Sequence, residues 1–309
     1  MNTSQITYLV FGGVLLLAVI FDLGLLSKKG STITIKKALL QTSFWVLLAM
    51  AFFGFLWYEK GHKSAIEYLS AYLMEWSLSI DNIFVFILIF TFFKVNEKFY
   101  ARVLMIGILT AIFLRIIFIS AGIALVMQFH WLLYIFGAIL VYTGITMFAA
   151  KKDEDVDLNE NKVYKFLKRF LPITSEDGDG KFTIKKDGKK MYTSIFVVVI
   201  LLATTDVVFA IDSIPAVFGI TQDKLVIYTS NIFAVLGLRS LFFLLRGAVD
   251  KFSYLQQGIA VVLIFIGLKM IAEIINIEIP VYVSLIVIVV CIASAMIYSV
   301  TNPPKKTSQ

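Results

Sequence analysis

The chain has 309 residues, 59% hydrophobic and 16% charged, with a mean hydropathy of +0.88 and a formal net charge of +7. That balance excludes a water-soluble domain as the reading of the whole chain. The basic excess borders apolar segments rather than forming one solvated face, so it reads as a topology signal beside anionic lipid and not as a nucleic-acid surface.

A membrane-spanning helix needs about 20 mostly apolar residues, and hydropathy with turn residues predicts nine: 7–26, 38–58, 67–93, 103–127, 130–150, 193–214, 226–246, 257–276 and 281–300. The expected class is an all-α polytopic membrane protein with the lipid bilayer as its surroundings. The first segment is not read as a cleavable signal, because no basic residue precedes it and Lys28, Lys29, Lys36 and Lys37 follow. With the N-terminus outside and the C-terminus inside, 22 of the 28 Lys and Arg residues fall in inside segments and only Lys60, Lys63 and Lys224 in outside loops. This is the asymmetry that cytoplasmic loops carry. The single cysteine, Cys291, lies in the last span and excludes a disulfide framework within the chain.

The third span contains Glu75-Trp-Ser-Leu-Ser-Ile-Asp81-Asn82-Ile and the sixth Asp206-Val-Val-Phe-Ala-Ile-Asp212-Ser213-Ile. Each following span carries one arginine in apolar surroundings, Arg115 and Arg239, and the spans after those carry Gly144-Ile-Thr146-Met147 and Gly267-Leu-Lys269-Met270. Spans three to five and six to eight thus read as two copies of one unit. Three being odd, the copies run through the membrane in opposite senses. The expected organisation is two N-terminal spans (1–66), a first repeat (67–150), a cytoplasmic insert (151–192), an inverted second repeat (193–276), and a last span with its tail (277–309). Within the insert, 161–171 reads as an amphipathic helix and 182–192 as a hairpin turning at Asp187-Gly188. Asp177-Gly178-Asp179-Gly180 reads as a plain turn, since the rest of a calcium loop is missing.

Six acids (Asp22, Glu75, Asp81, Asp206, Asp212, Glu273) and three bases (Arg115, Arg239, Lys269) lie within the spans, a formal balance of −3. Intramembrane charges cost about 2.5–3.5 kcal/mol each on the insertion scale, so several together imply a polar interior. Helical periodicity sets Glu75 near Asn82 and Asp206 near Ser213 on one stripe of each span, with Asp81 and Asp212 one step round. Joining those edges assembles an oxygen-only ligand set, which selects hard cations such as magnesium, calcium and manganese. Pro215 predicts a break at Asp212 that frees carbonyls. Arg115 and Arg239 read as counter-ions for the acids, Lys269 and Glu273 as an ion pair one turn apart, and Asp22 as a vestibule or solvated residue. His62 and His130 read as surface or interfacial residues, Trp57, Tyr58, Trp131 and Tyr134 as interfacial belts, and Phe84, Phe86, Phe90 and Phe92 as lipid-facing or packing rings.

The two acidic motifs, with Arg239 and Gly267-Leu-Lys269 downstream, resemble the TerC family of integral membrane proteins over residues 7–300, and the insert resembles the Alx-like branch. The resemblance implies inverted three-helix repeats, manganese efflux and a part in metal, alkaline or tellurite stress. It makes Glu75, Asp81, Asp206 and Asp212 the functional acids, with Asn82 and Ser213 beside them. The expected function is a non-enzymatic secondary exporter of a divalent cation, Mn2+ first, with no resident cofactor and coupled to protons, since no phosphate-binding loop for a nucleotide is present. The alternative is a membrane scaffold or stress sensor. An intramembrane aspartyl hydrolase is disfavoured for want of a Gly-x-Gly-Asp motif.

Overall fold

The computed structural model describes residues 3–21, 33–149, 162–174, 178–186, 189–246, 254–275, 277 and 279–302. Asp22, the first inside loop and the hairpin turn at 187–188 lie outside that set, as do the side chains of Asp81 and Asp212. Nine helices of 18 residues or more are described: α1 (Thr3–Phe21), α2 (Ile35–Lys60), α3 (His62–Phe92), α4 (Tyr100–Gln128), α5 (Leu132–Ala149), α7 (Ser194–Phe218), α8 (Lys224–Leu245), α9 (Leu255–Ala272) and α10 (Val281–Thr301). Between α5 and α7 come a short helix, α6 (Lys162–Phe170), and an antiparallel hairpin, β1 (Thr183–Lys186) with β2 (Lys189–Tyr192), in which Ile184 faces Met191. Seven of the long helices, all but α1 and α3, are long and apolar enough over their described residues to cross a membrane.

Local chemistry sets the boundaries. Thr34, Thr193 and Asp223 accept backbone N–H bonds at the starts of α2, α7 and α8, satisfying donors that a helix start leaves open. Gly61 alone separates α2 from α3 at φ 83, a left-handed conformation that costs a glycine little. The expected break at Pro215 does not occur: α7 runs unbroken from Ser194 to Phe218. Proline removes one N–H, but Ala210, Ile214, Ala216, Val217 and Phe218 are buried on both sides of it, and that packing outweighs the single lost bond.

At the centre lies α8, where every residue except Lys224, Tyr228 and Leu244 is buried. Around it α3 packs on α8, α4 on α7, and α5 on α9, with α2 on α8 and α10 on α9 and α3. Phe86 and Phe90 are core residues, whereas Phe92 is exposed. Trp57, Tyr58 and Trp131 are exposed near helix ends, in keeping with interfacial belts.

The tightest seam joins α5 to α9. A Cβ built on Gly267 would stand 2.6 Å from the Gly137 carbonyl, and one on Gly144 2.8 Å from the Ala260 carbonyl. Gly137 thus faces Gly267 while Gly144 faces Ala260, so the helices run antiparallel with small residues seven apart on each. In lipid the drive for helix association is close packing rather than water exclusion, and small residues supply it.

Gly267→Ala should therefore force α5 and α9 apart and destabilise the protein by about 1–3 kcal/mol, read as a fall in the thermal unfolding midpoint in detergent. Gly13→Ala, whose Cβ would meet nothing within 4 Å, should leave the midpoint unchanged or slightly higher.

Candidate functional site

Helices α3, α4, α7 and α8 converge on one buried guanidinium. Arg115 donates from Nε to Asp206 Oδ2 at 2.6 Å and from Nη2 to Asp206 Oδ1 at 2.9 Å. Its Nη1 donates to Glu75 Oε1 and, at 3.3 Å, to Asn231 Oδ1. Arg115, Glu75 and Asp206 are each about 1% exposed. The fork geometry of arginine suits this task, because a bidentate bond to one carboxylate still leaves donors for a second. The counter-ion reading of Arg115 is thus what the geometry displays, and it brings the leading acids of both motifs to one atom group.

A cavity of about 370 Å³ opens beside this triad, lined by Glu75, Asn82, Arg115, Thr143, Thr146 and Ser213 among others. Two polar atoms of its lining residues, Glu75 Oε2 and Ser213 Oγ, are buried without a hydrogen-bond partner among the described residues. Buried polar atoms are nearly always satisfied, so these two mark a place where a polar ligand would be held. Asp81 and Asp212 lie on α3 and α7 six residues beyond Glu75 and Asp206; their side chains are outside the described set. Among the described residues no three His, Cys, Asp or Glu side chains form a metal-holding group. Arg239 is buried on α8.

A second, more polar chamber of about 480 Å³ is lined by Lys63, Glu67, His130, Thr221, Lys269 and Glu273 among others. The expected Lys269–Glu273 ion pair is not among the described contacts; Lys269 donates instead to Ser284 Oγ at 3.3 Å. Glu273 continues the helical backbone at the C-cap of α9 and lines the same chamber as Lys269. His130 borders this chamber, while His62 packs its ring near Trp57 at 5.5 Å.

Sequence reasoning passed over Glu67, Asp223 and Asn231. Glu67, buried at the start of α3, accepts a 2.6 Å bond from the Thr221 hydroxyl, and Lys60 pairs with Asp223 at 2.8 Å. Together they tie the loop after α7 to the α2–α3 corner. Glu67 stood at the first residue of a predicted span and was not weighed as an intramembrane acid. Asn231 was detectable only as a lone amide within an apolar run.

Buried charges, two chambers and apolar long helices define the class: a helical integral membrane protein with an ionised interior. Residues 60–307 match the integral membrane protein TerC family. The chain belongs to that family. It is 42% identical over 279 residues to an uncharacterized membrane protein, STKORF319, of Myxococcus xanthus, covering 90% of this chain and 86% of that one. It is 41% identical over 282 residues to a protein of Salmonella typhi described as a candidate membrane-bound redox modulator, Alx, with 87% of each chain covered. The Alx of Escherichia coli K12 is 40% identical over 282 residues, again with 87% of each covered. No solved structure matches the chain.

Arg115→Met should be the most damaging single change, about 3–5 kcal/mol, because it strands two buried carboxylates. Adding Glu75→Gln and Asp206→Asn to it should restore much of the folded yield and unfolding midpoint. A triple variant no better than Arg115→Met would show that the charge balance is not what the arginine supplies.

Proposed function

We propose that this protein is a secondary transporter of the bacterial inner membrane that exports a hard divalent cation, Mn2+ first, in exchange for protons. The observation that carries this reading is the Arg115 bridge, which draws Glu75 and Asp206 together beside a cavity holding unpartnered oxygens. Two motifs far apart in the chain would have no reason to converge on one guanidinium if their likeness were a chance of apolar composition.

The inverted three-helix repeat has support from the packing. If α3, α4 and α5 correspond to α7, α8 and α9, then the α3–α8 contact has α4–α7 as its counterpart, and α5–α9 is its own. All three are seams of this fold. The Gly137–Gly267 and Gly144–Ala260 approaches exchange with one another under the same correspondence. A site at such a repeat interface is where secondary transporters hold their cargo.

Charge supports the exchange. Glu75, Asp81, Asp206 and Asp212 carry −4 when ionised, and Arg115 with Arg239 return +2. The remainder of −2 is neutralised by one divalent cation or by two protons, and the two occupants exclude each other. Oxygen donors alone favour a hard ion. In this reading Asp81 and Asp212 supply the charged ligands, Asn82 and Ser213 neutral oxygens, and Glu75 reaches the ion with its free Oε2 while Oε1 stays on the arginine. The cation enters along the cavity from the Thr146 and Met147 end of α5, the cytoplasmic end in the expected topology. In this reading the Glu67–Thr221 and Lys60–Asp223 contacts belong to the opposite gate. The single cysteine excludes dithiol chemistry within one chain, so the redox description of the Alx relatives would operate here through metal content.

The test is cellular manganese in a manganese-sensitive host at matched membrane expression. Wild type should lower it, and Asp81→Asn and Asp212→Asn should each abolish the effect while remaining folded. Variants that lower manganese as well as wild type would remove these acids from the transport path. A wild type that changes no metal would favour the scaffold reading.

A further inference from the structure

Helix α6 has an unusual face. Phe166 and Phe170 are 61% and 63% exposed, and their rings stack with centroids 4.6 Å apart. Lys165, Lys168 and Arg169 are exposed too. At 100° per residue the three cations cover an arc of about 100°, centred about 130° from the two phenylalanines. The helix is therefore strongly two-sided, and among its described side chains the two rings stay mostly exposed.

The height of α6 is fixed by its sequel. Tyr192 N–H donates to the Pro172 carbonyl at 2.8 Å, and Thr174 N–H to the Tyr192 carbonyl at 2.9 Å. Tyr192 packs on Phe196 with rings 4.6 Å apart, and Thr193 caps α7. The end of α6 is thereby tied, two residues on, to the first turn of a membrane-length helix, and α6 itself contacts α7. A helix held at that level has the bilayer boundary beside it.

The surrounding surface shares the charge. Lys185, Lys189 and Lys190 are exposed on the hairpin. Lys98 bonds Asp179 at 2.9 Å and Arg102 bonds the Gly180 carbonyl at 3.0 Å, fastening the insert to the start of α4. Lys98, by hydrogen bond and charge, holds the Asp179 carboxyl below its ordinary range. That contact is present above the usual carboxylate value and is lost as pH falls through the lowered one.

We infer that α6 is an in-plane membrane anchor: Phe166 and Phe170 enter the inner-leaflet interface, and Lys165, Lys168 and Arg169 bind the headgroups of anionic phospholipid. Amphipathic helices with basic polar faces and aromatic apolar faces lie in the interface in this way, and their binding depends on lipid composition. Long basic side chains reach the headgroups while the rings sink below them. The anchor does not depend on what the protein transports. It makes the insert a part that responds to inner-leaflet charge.

The full-length protein, with Cys291→Ser and a single fluorophore on Phe166→Cys, is reconstituted in vesicles of phosphatidylcholine alone or mixed with phosphatidylglycerol. The expected result is quenching by a shallow lipid-borne quencher, protection from aqueous iodide, and enrichment of phosphatidylglycerol at the label. A label on Lys189→Cys should stay open to iodide. Removing each of Lys165, Lys168 and Arg169 should weaken the phosphatidylglycerol enrichment by about fivefold, the factor one basic residue contributes at an anionic surface. A position-166 label that iodide quenches in both vesicle types overturns the anchor and leaves the face to a soluble partner. Lipid quenching that ignores both phosphatidylglycerol and the charge removals overturns the anionic-lipid assignment.

Discussion

One arginine with two acids determines what the rest of this structure must do. Three ionised groups with almost no access to water are tolerable only if each finds opposite charge and hydrogen bonds, because desolvation otherwise costs several kcal/mol per ion. Arg115 meets that condition for Asp206 with two bonds and for Glu75 with one, and Asn231 takes a further donor. The partners come from four helices, and α3, α4 and α7 cannot shift independently without stranding a charge. The polar centre is thus also the fastening of the bundle. What remains unpaired, one Glu75 oxygen and the Ser213 hydroxyl, belongs to residues that line a cavity.

Around that fastening, packing follows what a bilayer permits. Apolar side chains gain little by leaving lipid for protein, so stability comes from close approach of backbones. The α5–α9 seam achieves it with Gly137, Gly144, Ala260 and Gly267 facing one another across two antiparallel helices. On the other flank a cluster of Phe11, Phe52, Tyr68 and Phe233, with ring centroids 5.4–6.4 Å apart, joins α1, α2, α3 and α8.

Much of this was legible in the residues. Helix positions followed from hydropathy because each span is long, and the insert's helix and hairpin followed from a change to amphipathic spacing and an Asp-Gly turn. The nearness of Glu75 to Asp206 was readable from the likeness of the two acidic motifs, whose leading acids the Arg115 guanidinium brings together. The failures share a cause. The local effect of Pro215 predicts a break, whereas burial on both sides of it keeps the helix continuous. Glu67 was missed because a residue at the edge of a hydropathy segment looks solvated, and only the Thr221 loop folding over it makes it buried. Each miss needed a neighbour distant in sequence.

The arrangement along α3 gives the polar interior its depth. Glu67, Glu75 and Asp81 follow one another at intervals of eight and six residues, about 12 Å and 9 Å of helix rise. They span most of the hydrocarbon thickness of about 30 Å with no long apolar gap. Each carboxylate has different company. Glu67 is closed over by a hydroxyl from the α7–α8 loop, and Glu75 is held by an arginine. Glu75 keeps one oxygen off the arginine, whereas Glu67 holds a single Thr221 hydrogen bond beside the Lys60–Asp223 pair. A neutral donor is a weaker competitor for a carboxylate than a cation is. The Glu67–Thr221 bond is thus the carboxylate contact of α3 that a positive charge is best able to displace.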